Sequence, residues 1–548
     1  MAYIDIKNLS FSYPNGVGKA LDGINISIEK GEFICLCGAS GSGKTTLLRQ
    51  LKPALAPHGR KTGDVLLDGK SVAEYSFREQ SSIIGYVMQD IEAQLVTDKV
   101  WHELAFGLES LGCEQHSMRL RVAEMASYFG IQPWFHEKVC NLSGGQKQLL
   151  NLASVMVMQP DIIILDEPTA QLDPIAASDF ISTVFRLNRN MGITVILSEH
   201  RLEEVIPLSD RVIVLENGKV TADRAPDEIG NALESIGSDI LSALPAPMRI
   251  WRAIESDARC PVTVRQARHW LCKECPDVRG KARETKWEYV APDNPTIELK
   301  EICFRYGKNL PDVLRKLDLA VEKGTLHAVV GGNGSGKSTM LKAVCAEIKP
   351  YSGKILINGR RIEKIRPSEL FGGLIAMLPQ NPKSLFVKKS VREELEEMGG
   401  DIDDFVKFCK LDNLLDAHPY DISGGEQQRL ALAKVLMTKP EILLLDEPTK
   451  GMDAPFKRFF AERLRQLCNT GVTVLLVSHD IEFCAAYADV VSLMFDGKII
   501  STRDAKSFFA GNSFYTTAAN KISRDLFPDA VTVDDVIENI KKAGRTRV

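Results

Sequence analysis

Two stretches of this chain share one pattern, GASGSGKTT at Gly38–Thr46 and GGNGSGKST at Gly331–Thr339. Each fits GxxxxGK[ST], and each follows a short apolar run, Phe33–Cys37 in one case and Leu326–Val330 in the other. The pattern predicts a buried strand, a tight loop and the start of a helix. Gly38, Gly41 and Gly43, like Gly331, Gly334 and Gly336, let backbone N–H groups turn inward at phosphate oxygens. Ser40 and Thr46 belong to the first phosphate-binding set, Asn333 and Thr339 to the second. A helix N-terminus behind each loop adds a favourable field for an anion. Two such loops with equivalent partners downstream restrict the chain to a duplicated α/β nucleotide-binding fold.

At 548 residues the chain suits two to four domains. Its net charge of −4 gives no reason to expect nucleic-acid binding through a broadly basic surface. No charge-free apolar stretch reaches the length of about eighteen residues that a spanning helix needs. The first residues lack the basic–apolar–small order of a secretory leader. Any membrane association is therefore expected through partners. The 12 cysteines are scattered, and Cys35 and Cys37 read as small buried apolar residues of a reducing compartment. His269, Cys272 and Cys275, with Cys260 upstream, have the spacing of a zinc set. The second half has no matching set, and free thiols are the expected reading.

The repeat runs well past the phosphate loops. Lys44 corresponds to Lys337, and Gln89 in GYVMQD to Gln380 in AMLPQN. LSGGQKQ from Leu142 corresponds to ISGGEQQR from Ile422, Asp166-Glu167-Pro168 to Asp446-Glu447-Pro448, and His200 to His479. Gln89 and Ser143 are 54 positions apart, whereas Gln380 and Ser423 are 43 apart. That insert reads as a helical subdomain, trimmed in the second copy. Short apolar runs at Ile162–Asp166, Thr194–Leu197, Ile442–Asp446 and Thr473–Val477 predict a largely parallel, buried sheet with flanking helices. Residues 1–230 form the first domain and 296–505 the second, each with an extension, 231–295 and 506–548. Ile229, Leu233, Ile236 and Ile240 keep helical spacing, which attaches residues 229–272 to the first half. The charged, proline-containing stretch 280–295 marks the boundary.

The residue types carry a consistent chemistry. Lys44 and Lys337 reach β- and γ-phosphates as point charges, and Thr45 and Ser338 offer hydroxyls to Mg²⁺. Asp166 and Asp446 end apolar strands beside the loops and support the metal, while Glu167 and Glu447 polarise water as general bases. Gln89 and Gln380 contact Mg²⁺ or water, and His200 and His479 close neighbouring strands. Tyr13 and Tyr306 either stack on adenine or pack in the core. Ser143 and Ser423 precede helices that they can cap, and Gly145 and Gly425 expose N–H groups there. This second anion site lies far from the phosphate loop in sequence, so the natural arrangement closes each half's SGG motif over the other half's nucleotide.

These residues, in this order, resemble the ATP-binding cassette (ABC) family over nearly the whole chain, twice. The match includes the aspartate loops Leu172-Asp173 and Met452-Asp453. The resemblance implies two P-loop NTPase domains, each with an antiparallel β part and a helical subdomain, paired head to tail around two ATPs. One site would combine Lys44, Thr45, Gln89, Asp166, Glu167 and His200 with Ser423 and Gly425. The other would combine Lys337, Ser338, Gln380, Asp446, Glu447 and His479 with Ser143 and Gly145. Departures are few: Ser198-Glu199 precedes His200 where Val477-Ser478 precedes His479, and Ile422 and Glu426 replace the usual signature leucine and glutamine.

The stretch Gln89–Val96 followed by Val100–Glu109, echoed at Gln380–Phe386 and Val391–Leu395, resembles the ATPases of energy-coupling-factor (ECF) importers. That resemblance implies a peripheral subunit at the cytoplasmic face of the cell membrane. Its partners would be a membrane T component and a substrate-binding S component, with no nucleic acid. Glu103 and Glu109 are expected to meet arginines on such a partner. Alternatives are a soluble twin-cassette ATPase acting on ribosomes and a tandem sugar-importer ATPase. The region between the cassettes lacks the long basic helical arm of the former, and neither site is degenerate as in the latter.

Overall fold

The computed structural model describes residues 2–14, 18–254, 256, 258–275, 292–450 and 452–545, so most of the boundary stretch expected at 280–295 lies outside the described residues. The chain divides into two compact units. One holds residues 1–252 and 257–263, the other 253–256 and 264–548.

In each unit a six-stranded sheet carries the phosphate loop. Its order in the first unit is Lys219–Arg224, Arg211–Glu216, Phe33–Cys37, Thr194–Ser198, Ile162–Asp166, Ile84–Val87, all parallel except the first. The second unit repeats it with Lys498–Asp504, Val490–Phe495, Leu326–Val330, Thr473–Val477, Ile442–Asp446 and Ile375–Leu378. A separate antiparallel sheet accompanies each, built on Ile4–Ser12 and on Ile297–Phe304. Both faces of the parallel strands are covered, so their residues are mainly apolar and alternate between two cores. Ile163 and Leu165 pack with the helices Gly144–Met156 and Pro174–Met191. Ile162 and Ile164 pack with the antiparallel sheet and the helix Lys44–Gln50. Each side chain so buried contributes roughly 1.5–3 kcal/mol.

The trimmed insert is a shortening of helices. Val100–Ser110 and Gln115–Tyr128 have 11 and 14 residues, and their counterparts Val391–Glu396 and Asp403–Cys409 have 6 and 7. A buried carboxylate holds the loop before each first helix. Glu103 accepts from Val96 N at 3.1 Å and Thr97 N at 2.7 Å. Glu394 accepts from Val387 N and Lys388 N and pairs with Lys434, which also donates to Leu385 O at 2.8 Å. The expectation that Glu103 faces a partner is therefore corrected. Only 5 % of it is exposed, because two otherwise unsatisfied backbone N–H groups claim its carboxylate. Glu109 is exposed, 3.8 Å from His102 Nε2.

Two further differences concern the extension. The helix begun at Ile229 stops after Ser235: Gly237 adopts a φ of 65°, Ile236 is half exposed, and a short 3-10 turn follows at Asp239–Ala243. The helix Val264–Glu274 groups with the second unit. There it packs on Ala518–Ser523, burying Ala267, Trp270 and Leu271, and Arg268 pairs with Asp525 at the surface.

Candidate active sites

In each unit the candidate site residues come from the ends of four neighbouring parallel strands. In the first unit Phe33–Cys37 leads into the phosphate loop, where Lys44 Nζ lies 2.9 Å from Gly38 O and 3.0 Å from Ala39 O. A Cβ on Gly38 would sit 2.2 Å from Leu215 O, so only glycine permits this approach of loop to sheet. Thr45 Oγ1 donates to Asp166 Oδ1 at 3.1 Å, and Ser198 Oγ and Tyr86 OH also donate to that carboxylate, at 2.8 and 3.2 Å. Burial pushes Asp166 above the usual range, while Ser198, Thr45 and Tyr86 pull it back.

Glu167 adopts a left-handed φ of 47° directly before Pro168, and its N–H is held by Ser198 O at 3.0 Å. Such a backbone costs about 1–3 kcal/mol at a non-glycine residue and recurs where a side chain must be aimed. Gln89 Nε2 donates to Glu167 Oε2 at 2.7 Å, His200 Nε2 lies 2.8 Å from Oε1, and Lys44 Nζ lies 4.0 Å away. Burial raises Glu167, but the His200 hydrogen bond and the charges of His200 and Lys44 outweigh it, leaving this carboxyl below its ordinary value.

The second unit repeats the plan with fewer polar props. Lys337 Nζ donates to Gly331 O and Gly332 O at 2.9 and 3.0 Å, and Ser338 Oγ donates to Asp446 at 3.0 Å. Val477 stands opposite Asp446 in the sheet, where Ser198 stands opposite Asp166. Glu447 has a φ of 53°; His479 N donates to its Oε2 at 3.1 Å, and His479 Nε2 lies 3.0 Å from Oε1. Gln380 makes no hydrogen bond to Glu447 among the described residues. Burial pushes Glu447 up to about 7, although the His479 backbone and Lys337 pull downward. Glu447 Oε1 is buried beside the His479 ring nitrogen but makes no aligned hydrogen bond among the described residues, an acceptor suited to a water or a metal-bound ligand.

Tyr13 and Tyr306 are exposed beside the loops rather than packed in the core. Their hydroxyls reach Thr46 Oγ1 and Thr339 Oγ1 at 3.0 and 3.1 Å, and their rings meet Phe11 and Phe304 edge-on. Ser143 and Ser423 cap Gly144–Met156 and Gly424–Met437 in complete capping boxes with Gln146 and Glu426. Gly145 and Gly425 lie in the first turns of those helices. Ser40 and Asn333 are exposed on the phosphate loops; Gly41 and Gly334 have φ values of 78° and 75°, and Gly43 and Gly336 of 104°. Cys260 and Cys275 are buried and Cys272 is exposed.

The roles of Ser198, Tyr86 and Glu199 are not legible in the sequence. Ser198 and Glu199 stand there only as departures before His200, and that asymmetry with Val477-Ser478 is the available signal. The residues present fit a nucleotide with Mg²⁺: glycine backbone where a Cβ would collide, a buried lysine, a hydroxyl on each aspartate, and a buried Glu447 oxygen with no aligned hydrogen bond among the described residues.

Comparison with known proteins agrees with this geometry. The family model described as ABC transporter matches residues 21–170 and again 314–450. A Bacillus anthracis protein called a putative ABC transporter ATP-binding protein is 42% identical, covering 98% of each chain. A Streptomyces coelicolor protein of the same description is 31% identical over 95% of this chain and 97% of its own. Among solved structures, an archaeal ribosome recycling factor complexed with a ribosomal stalk protein shares the twin-domain fold. Its TM-score is 0.57 at 19% identity, covering 92% of this chain and 91% of that one. With two family matches and relatives aligned almost end to end, the chain belongs to the ABC transporter family, as an ATPase with two cassettes in one polypeptide.

Proposed function

We propose that the chain is the energy-coupling ATPase of an ECF-type importer, driving uptake of a vitamin, a precursor or a metal ion at the cytoplasmic face of the cell membrane. Membrane T and substrate-binding S components would supply the pathway. The observation that carries this reading is the segment from Gln89 through Val100–Ser110, with its echo from Gln380 through Val391–Glu396. In both, a buried glutamate pins the loop and leaves apolar side chains outside: Val96, Trp101 and Phe106 in one cassette, Val387 in the other. Exposed apolar groups on a pinned loop and on the helix after it suit a helix from a membrane partner. No helix among the described residues is long and apolar enough to cross a membrane, so such partners would provide the span.

Within each cassette Lys44 or Lys337 binds phosphate, and Tyr13 or Tyr306 stacks on adenine. Ser143 and Gly145, with Ser423 and Gly425, offer further N–H groups to phosphate. Thr45, Gln89 and Asp166 would hold Mg²⁺ in the first cassette, and Ser338, Gln380 and Asp446 in the second. Bound there, the ion neutralises phosphate charge. Glu167 and Glu447 take the proton of the attacking water, oriented by His200 and His479.

The unequal carboxylates give a pH test. With Glu167→Gln, turnover rests on Glu447, which is protonated and inactive as a base below about 7; its rate should fall about tenfold per pH unit below that point. With Glu447→Gln, turnover rests on Glu167, held below its ordinary value, and the rate from pH 6 to 8 should stay level. Identical profiles would count against two differently tuned bases.

The partner test is a mild-detergent pull-down of the tagged chain from its native cells. Small hydrophobic membrane proteins should co-purify and be lost with Val96→Glu plus Val387→Glu, while ATPase activity persists. Ribosomal particles in their place would overturn the importer reading.

A further inference from the structure

Glu199 is a buried carboxylate that the hydrolytic scheme above does not use. Only 2 % of it is exposed. One oxygen, Oε1, accepts from both Thr169 N at 2.8 Å and Thr169 Oγ1 at 2.6 Å, and Oε2 accepts from His200 N at 3.2 Å. Thr169 stands two residues after Glu167, beyond Pro168, and His200 carries the ring that contacts Glu167. One side chain thus ties the turn after the first base to the backbone of its histidine.

The second cassette is an internal control for what this carboxylate does. Ser478 stands in the place of Glu199, and its Oγ lies 3.5 Å from Thr449 Oγ1 while accepting from Asp480 N at 3.0 Å. His479 N, with no neighbouring carboxylate of this kind, turns to Glu447 Oε2 instead. In the first cassette Glu199 takes up that backbone N–H, and Glu167 Oε2 is left to Gln89 Nε2. The two bases therefore have different neighbours: a side-chain amide and an imidazole in one, a backbone amide and an imidazole in the other.

We propose that Glu199 is a positioning residue specific to the first cassette, a clamp that sets the Glu167–His200 contact and frees Glu167 Oε2 for Gln89. A buried carboxylate with three donors is rigid, because leaving any of those donors unpaired is costly. Burial, with the nearby charge of Glu167, raises Glu199 above the usual carboxyl range, while the Thr169 hydrogen bonds oppose that rise. Misplacing a base by a fraction of an ångström lowers turnover without altering ground-state nucleotide contacts, which lie at the phosphate loop.

This inference rests on the reading of Glu167 as general base, and the test separates the two. In the full-length chain carrying Glu447→Gln, steady-state ATPase activity and binding of a fluorescent ATP analogue are measured with Glu199→Ser, Glu199→Gln and Thr169→Val. Glu199→Ser should lower kcat about tenfold with KM and analogue affinity within about twofold. Glu199→Gln keeps the acceptor for Thr169 but meets His200 N with an amide N–H, so a loss of about threefold is expected. Thr169→Val, which removes one donor and disturbs little else, should lose about as much, and it decides the matter if Glu199→Ser does not fold. Thr449→Val, the second-cassette counterpart, should change kcat less than twofold in either background. If Glu447→Gln alone silences the chain, the sites are obligatorily coupled and the same variants in the otherwise unaltered chain report the loss in full. Unchanged kcat in Glu199→Ser and Thr169→Val, with Glu167→Gln inactive, would overturn the clamp and leave the base standing. Persistent activity of Glu167→Gln plus Glu447→Gln would overturn the base itself. A loss confined to KM or affinity would also overturn the clamp.

Discussion

Glu167→Gln together with Glu447→Gln lowers ATP turnover by at least about a hundredfold while nucleotide binding survives, because general-base assistance contributes about 10²–10⁴-fold. Glu167 is buried and Glu447 partly buried at a strand end, both occupy left-handed backbone before proline, and both face a histidine ring at 2.8–3.0 Å. The amide is isosteric and keeps the fold, yet it cannot accept a proton at neutral pH. Binding persists since Lys44, Lys337 and the loop glycines are untouched. The measurement is phosphate release at saturating ATP beside analogue binding. Turnover within tenfold of the unaltered chain would remove these residues from the role of base.

Glu394→Ala should cost about 3–5 kcal/mol in the second cassette, the range for breaking a buried pair from one side. The change leaves the Lys434 ammonium with Leu385 O and the half-exposed Glu397 carboxylate 3.8 Å away, and it strips Val387 N and Lys388 N of their acceptor. Lys434→Met removes the cation while Glu394 keeps both backbone donors, so it should cost clearly less. Hydrogen exchange of the 385–397 segment reads the difference directly, since the amides of Val387 and Lys388 depend on that carboxylate. Glu103→Ala in the first cassette is a comparison with no lysine to strand, and it should fall between the two. Equal costs for Glu394→Ala and Lys434→Met would show that the pair, not the loop, carries the energy.

The strands at Phe33–Cys37, Leu326–Val330, Ile162–Asp166, Ile442–Asp446 and Thr473–Val477 were readable residue by residue. Fully buried parallel strands are short apolar runs with sharp polar ends, and here the ends are chemical motifs. The twofold repeat made each reading check the other. What could not be read were side chains whose partners lie far along the chain or on backbone. Glu103 looks like a solvated residue in the first turn of a helix, and nothing local reveals that Val96 and Thr97 claim it. Glu199 finds Thr169 across 30 residues. The periodicity of Ile229, Leu233, Ile236 and Ile240 signalled a helix that Gly237 ends, a case of one left-handed glycine outweighing apolar spacing.

The packing of Val264–Glu274 on Ala518–Ser523 also has a consequence in time. A chain is synthesised from its N-terminus, so the earlier helix emerges about 250 residues before its final neighbour, a delay of roughly 12–50 s at 5–20 residues per second. Throughout that interval the first cassette can complete its own sheet, while Ala267, Trp270 and Leu271 wait for a surface not yet made. The fused polypeptide thus keeps an amphipathic helix with an uncovered apolar face tethered beside the ribosome until Ala518–Ser523 appears. Premature termination anywhere in the second cassette releases a fragment with that helix uncovered, a natural mark for quality-control recognition.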